Sequence, residues 1–268
     1  MGIFRRLLTV ASLMLLALVW SAPTHAQDNL IDTIKKRGKL TVGFGTFVPW
    51  AMRDKQGNWI GFEIDVSTKI AKDIGVELDL MPSAWDAIIP SLIAGKFDVI
   101  IGGMTITPAR KEQVDFTDPY AQSGLGIAAS KQLAAKLKWP DEYNNTSVTF
   151  VCRRGSTPCK YIEDKWPKAT LRQFDDQAVA YQEVINGNAH AMIGNEPLPT
   201  FKVRQNPDRL FKPTSDTLGA LELEGMGFKK GNPSTIRFFN EWIAKNQGWL
   251  MERHTYWFKG QDWLSLVP

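Results

Sequence analysis

The chain has 268 residues, 44% of them hydrophobic and 22% charged, a length that allows one large or two medium domains. Its 32 Lys and Arg against 28 Asp and Glu leave a formal charge of +4 with no clustered basic stripe, which argues against nucleic acid or another polyanion as partner. After residue 26 no stretch is long and apolar enough to span a bilayer.

Residues 1–26 read as an export signal. Arg5 and Arg6 form a basic start, residues 7–20 an apolar run, and Thr24-His25-Ala26 a weak cleavage site. The run is short beside the ~20 apolar residues of a membrane span; an uncleaved anchor is the alternative. Cleavage near Ala26 leaves a mature chain beginning at Gln27, and with no Cys near that point a lipid anchor is not expected.

Strand and helix signals then alternate. Residues 40–43 predict a strand, 65–72 a helix with Val66, Ile70 and Ile74 on one face, 77–81 a strand, 85–94 a helix, and 98–101 a strand closing at Gly102-Gly103. The second half repeats the theme: a strand at 148–151, a helix opening at Gly155-Ser156-Thr157-Pro158, a strand at 170–174, a helix at 177–186 and a strand at 191–194. Two amphipathic helices, 233–246 and 249–257, end the chain, separated by Gly248. This alternation predicts an α/β fold of mostly parallel sheet flanked by helices.

The only two cysteines, Cys152 and Cys159, fall in the exported part. In an oxidising compartment they are expected to pair, two free thiols being the alternative. His190 and His254 are far away in sequence, so no metal site is expected. Gly103 and Thr105 follow a predicted strand, where glycine lets a ligand approach the backbone and Thr105 offers a hydroxyl and an N–H. Thr107 caps the next helix and sets Arg110 in its first turn, where the dipole disfavours a cation. A bidentate grip on a carboxylate explains the cost; a surface pair with Asp118 or Glu112 is the other reading.

Four motifs follow one another: Gly61-Phe62-Glu63-Ile64-Asp65-Val66, Ser91-Leu92-Ile93-Ala94-Gly95-Lys96-Phe97-Asp98, Thr105-Ile106-Thr107-Pro108-Ala109-Arg110 and Asp115-Phe116-Thr117-Asp118-Pro119-Tyr120. In their order and spacing the chain, over about residues 30–257, resembles the family of bacterial periplasmic binding proteins that deliver polar amino acids to ABC importers. The resemblance implies a two-lobed fold with a two-strand hinge. Residues 27–122 form lobe one, 123–218 lobe two, and 219–268 the return to lobe one. It implies a monomer in the periplasm, without cofactor, metal or catalytic residue, that closes on a small carboxylate-bearing molecule and docks on the membrane permease of an ABC importer.

The resemblance also assigns a site. Arg110 aligns with the arginine that clamps the α-carboxylate, and Ser156 and Thr157 complete that grip from lobe two. Phe47 takes the stacking position, Trp85 a second wall, and Trp50 packs beneath. Asn195 stands where relatives hold the ammonium with Asp. Either Glu196 supplies the charge or the ligand lacks a normal ammonium. Arg153 aligns with a residue that touches the ligand side chain. If it points inward, the cleft favours an acidic or amide-bearing amino acid and excludes Lys, Arg and ornithine; the other reading turns it to solvent. Cyclohexadienyl dehydratases look similar but carry a proton-donating glutamate three residues past the ammonium position, where this chain has Leu198. A dehydratase-like enzyme and a periplasmic sensor or accessory protein are the alternative functions.

Overall fold

A computed structural model describes residues 29–267. The predicted export signal lies outside the described residues.

Helix α1 (Leu30–Arg37) starts at Asn29, whose side chain accepts the Ile31 N–H at 3.3 Å. There follow β1 (Lys39–Phe44), β2 (Met52–Arg53), β3 (Trp59–Ile60), α2 (Phe62–Ile74), β4 (Glu77–Pro82), α3 (Ile88–Ile93), β5 (Val99–Ile100), α4 (Pro108–Lys111) and β6 (Val114–Phe116). The chain crosses on β7 (Ala121–Ser130) and continues through α5 (Lys131–Ala134), β8 (Thr149–Arg153), α6 (Thr157–Lys165), β9 (Thr170–Phe174), α7 (Gln177–Ile185), β10 (Ala191–Asn195), α8 (Leu198–Gln205) and β11 (Leu210–Phe211). It returns on β12 (Leu218–Glu224) to β13 (Gly227–Lys229), α9 (Pro233–Lys245) and α10 (Gln247–Phe258).

Two sheets result, one per lobe. The first has the order β4-β1-β5-β13-β6, parallel through its first three strands and antiparallel at β13 and β6. The second has the order β11-β7-β10-β8-β9, parallel across β10, β8 and β9. The crossing strands β7 and β12 pair antiparallel, with Leu218 opposite Leu125 and Glu222 opposite Ser123. This is the two-strand hinge.

The central strands of the second sheet, β8 and β10, are buried on both faces and read as apolar runs, whereas the edge strands β4 and β9 keep exposed positions. In β8 and β10, Phe150, Ala191 and Ile193 enter one core, while Val151 and Met192 enter the core on the other face. In lobe one, Val66 and Ile70 of α2 pack with Leu40, Val42, Phe228, Trp242 and Trp257. Asp65, next to Val66 on that helix, accepts from Arg253 Nη2 and Trp257 Nε1, each at 2.6 Å, and so ties α2 to α10.

Several element ends shift from the sequence reading, α2 for one running from Phe62 to Ile74, and two of the shifts change the geometry. The helix expected over 85–94 begins only at Ile88, because residues 85–87 form a turn that brings Trp85 to the cleft. Gly248 does not separate the last two helices but lies in the first turn of α10. The break falls at Asn246, whose side-chain Nδ2 donates to the Trp242 carbonyl at 2.8 Å and closes α9.

Candidate ligand-binding site

Arg110 occupies the single turn of α4. The Thr107 hydroxyl accepts its N–H and Pro108 takes the first helical position, where no N–H is needed. One turn makes a weak dipole, so the penalty expected for a cation here is small. The side chain is held by bonds to both lobes. Nη1 donates to the Thr105 carbonyl at 2.8 Å, and Nη2 to the Gly155 carbonyl across the cleft at 3.1 Å. Among the described residues it makes no ion pair with Asp118 or Glu112. Burial pulls its pKa down, and the nearby Glu222 carboxylate opposes that shift. Two of its five N–H groups are used, leaving donors free for a carboxylate.

Arg153 closes the cleft from the other lobe. It is 5% exposed, and its guanidinium lies between the Trp85 and Phe47 rings, 4.4 and 4.8 Å from their centroids. Nη1 donates to the Thr46 carbonyl at 3.3 Å, whereas Nε is buried without a partner. Burial, then repulsion from Arg110, pushes its pKa down to about 9, so it stays charged at neutral pH. Arg154 points to the opposite side and pairs with Asp175 at 2.8 Å. The two aromatic walls therefore already hold a planar cation that belongs to the chain.

Trp50 lies beneath Phe47, with ring centroids 3.9 Å apart and planes 2° from parallel. Its Nε1 donates to Glu224 Oε2 at 3.1 Å. Gly103 has φ 64°, and a Cβ there would come within 2.5 Å of Trp50. The positive φ and the close approach of Trp50 together require glycine here.

The residue that sequence reasoning missed is Glu222. It stands half-buried on β12, and three donors converge on its Oε2: Asn195 Nδ2 at 2.7 Å, Thr157 Oγ1 at 2.8 Å and Thr105 Oγ1 at 2.9 Å. Asn195 Nδ2 also donates to Ser123 Oγ at 3.1 Å, and Ser123 donates to Glu224 Oε1 at 2.7 Å. Glu224 is fully buried; burial, with Glu222 adding to it, raises its pKa to about 7 against the lowering pull of Ser123 and Trp50. Burial, then Glu224, also raises the pKa of nearby Glu63 well above its ordinary value, and Glu63 accepts from Tyr120 Oη at 2.7 Å. The signal was present in Leu221-Glu222-Leu223-Glu224, an alternation that sends both acids to one side of a strand.

Glu196 and Ser156 are each engaged by other residues of the chain. Glu196 does not face the cleft: its Oε1 pairs with Lys212 Nζ at 2.6 Å, its Oε2 accepts the Thr200 N–H at 3.3 Å, and it packs over Gly126. Neighbouring strand residues project to opposite faces, so once Asn195 points in, Glu196 points out. Ser156 is also not available as a donor. Its hydroxyl donates to the Arg153 carbonyl at 2.6 Å and its N–H to the same oxygen at 3.1 Å, which fixes the turn into α6. The Cys152–Cys159 disulfide braces that turn, with Cα atoms 5.5 Å apart. Leu198 is buried in the lobe-two core.

Two open volumes flank this arrangement. One of about 270 Å³ borders Trp85 and Arg153, and one of about 1150 Å³ borders Thr105, Thr157, Leu125, Tyr161, Leu218 and Glu222.

Residues 40–260 match the family of bacterial extracellular solute-binding proteins, family 3. The chain belongs to this family. Over 241 residues it is 29% identical to the L-cystine-binding protein of Escherichia coli strain K12, covering 89% of each chain. Cyclohexadienyl dehydratase of Pseudomonas aeruginosa is 24% identical over 259 residues, covering 96% of this chain and 95% of the enzyme. Among solved structures, a binding component of an ABC transporter from Wolinella succinogenes, complexed with lysine, superposes with a TM-score of 0.78 at 34% identity. That match covers 85% of this chain and 99% of the other. This solute-binding protein thus has the two-lobed fold of amino-acid-binding relatives, and its family also contains an enzyme. No described helix is long and apolar enough to cross a membrane.

Proposed function

We propose that this family member is a periplasmic, monomeric binding protein that captures an acidic or amide-bearing amino acid and passes it to the permease of an ABC importer. The observation that carries the ligand class is Arg153 between Phe47 and Trp85, buried and with Nε unpartnered. A buried donor without a partner costs free energy that a ligand acceptor would recover. Arg110 supplies a second guanidinium with free N–H groups, matched in geometry to a carboxylate. Two carboxylates, or a carboxylate and an amide oxygen, complement these two cations. A lysine or arginine side chain entering the aromatic slot would meet a like charge.

The reading is non-catalytic. The position where dehydratase-like chemistry would need a proton donor is the apolar Leu198, and Glu196 is tied to Lys212 outside the cleft. A thermal-shift screen of amino acids and dicarboxylates tests the ligand class. An acidic or amide ligand at 100 times its dissociation constant should stabilise the protein by about 2.7 kcal/mol. Stabilisation by cationic amino acids alone would refute it.

A further inference from the structure

We infer that Glu222, on the hinge strand β12, receives the ligand's amino group, the role that the uncharged Asn195 cannot fill. The inference deepens the proposed ligand reading and rests on it for the two carboxylate positions. Glu222 is the one carboxylate among the described residues that Thr105 of lobe one and Thr157 and Asn195 of lobe two all touch. All three bonds fall on Oε2, and Oε1 accepts no hydrogen bond among the described residues. No Lys or Arg pairs with it, although Arg110 is near enough for Glu222 to oppose the fall in its pKa. The cleft therefore presents an incompletely satisfied carboxylate beside two guanidinium groups with spare donors. The complement of that set is a cationic donor flanked by carboxylates, which is an α-amino acid with an acidic side chain.

The exchange of roles between Asn195 and Glu222 has a physical reason. Asn195 Nδ2 lies 2.7 Å from Glu222 Oε2. An aspartate at 195 would set two carboxylates in contact, and one would have to take up a proton. As Asn, residue 195 instead donates to Glu222 and to Ser123, orienting the carboxylate and leaving Oε1 free. Its hydrogen bonds also link Glu222 to the buried Glu224 through Ser123, so the group that meets the ligand sits on one of the two strands that join the lobes.

The test uses pairs of ligands that differ only in the amino group: glutamate with glutarate, aspartate with succinate, glutamine with glutaramate and alanine with propionate. Affinities are measured calorimetrically for the mature protein and its Glu222→Gln variant. We expect the variant to weaken the amino acids by about 30-fold or more, the effect of removing one partner of a desolvated charge pair, and to leave the deaminated partners unchanged or tighter. Adding Asn195→Asp to Glu222→Gln returns the charge to the neighbouring position and should recover most of the loss. If the acidic and amide ligands fail but alanine binds and collapses in Glu222→Gln, the ligand-class reading falls and the role of Glu222 stands. Equal effects on both members of each pair would overturn the inference. So would tighter amino-acid binding by the variant, which would show that Glu222 occupies the place of a ligand carboxylate, and so would wild-type protein that never prefers an amino acid to its deaminated partner.

Discussion

Replacing Arg153 with alanine should exchange the ligand preference of the cleft without unfolding it. The guanidinium contributes two aromatic contacts, at 4.4 and 4.8 Å, worth about 0.5–2 kcal/mol each. Against these stand an unpartnered buried Nε, costing about 1–3 kcal/mol, and repulsion from Arg110. The opposing contributions are of similar size, so the unliganded variant should melt close to wild type. Binding should respond strongly: an acidic side chain deprived of its buried partner should lose about 2–5 kcal/mol, at least 30-fold in affinity. With the Arg153 guanidinium gone, the planar guanidinium of a ligand can enter between Phe47 and Trp85. Calorimetry with glutamate and arginine on both proteins reads the exchange directly. Glutamate affinity within about threefold of wild type, with arginine still unbound, would refute the reasoning.

Arg110→Ala should weaken every carboxylate ligand by about 30-fold or more, since it removes the guanidinium that bridges the lobes; an effect under about threefold would refute its role as anchor. Glu224, whose pKa is raised to about 7 from an ordinary 4.5, keeps its proton in the folded protein over a range where the unfolded chain has lost it. Folding stability attributable to it should therefore be full below about pH 4.5, fall by roughly 3 kcal/mol as pH rises to about 7, and be flat above. Denaturation of wild type and Glu224→Gln as a function of pH should show the variant less sensitive in that window; parallel profiles would contradict the assignment. Cysteines 152 and 159 close a loop of sequence separation 7, so replacing both with serine should cost about 2–3 kcal/mol in the loop-entropy account. Two alkylatable thiols in the native, unreduced protein would exclude the bond.

The parts of the fold written in local pattern were legible before the structure. The strand at 191–194 and the switch from strand to helix at Gly155 follow from an apolar run and from Pro158 at a helix start. Motifs mark Thr105 and Arg110, and both side chains reach residues beyond lobe one, Thr105 the hinge-strand Glu222 and Arg110 the Gly155 carbonyl. What was not legible depends on direction. Whether Arg153 faces in or out is a matter of strand register at β8, and it decides the charge of the site. Glu196 looked like a substitute acid because it is adjacent in sequence, yet adjacency along a strand places it on the wrong face. Glu222 went unread because it reaches the cleft from the returning hinge strand, 27 residues beyond Asn195; the Leu-Glu-Leu-Glu alternation gives the side it shares with Glu224 but not what that side faces. Acids that do sit in motifs are largely structural: Asp65 binds Arg253 and Trp257, and Asp98 accepts the Thr41 N–H at 2.8 Å.

The central claim is that the two guanidinium groups of the cleft select a ligand with a second acidic or amide group. Calorimetric titration of the mature wild-type protein with glutamate, aspartate, glutamine, lysine and arginine in one buffer tests it most directly. The account predicts saturable heat from at least one acidic or amide ligand, and none from lysine or arginine. Tight binding of lysine or arginine by the native protein would contradict it.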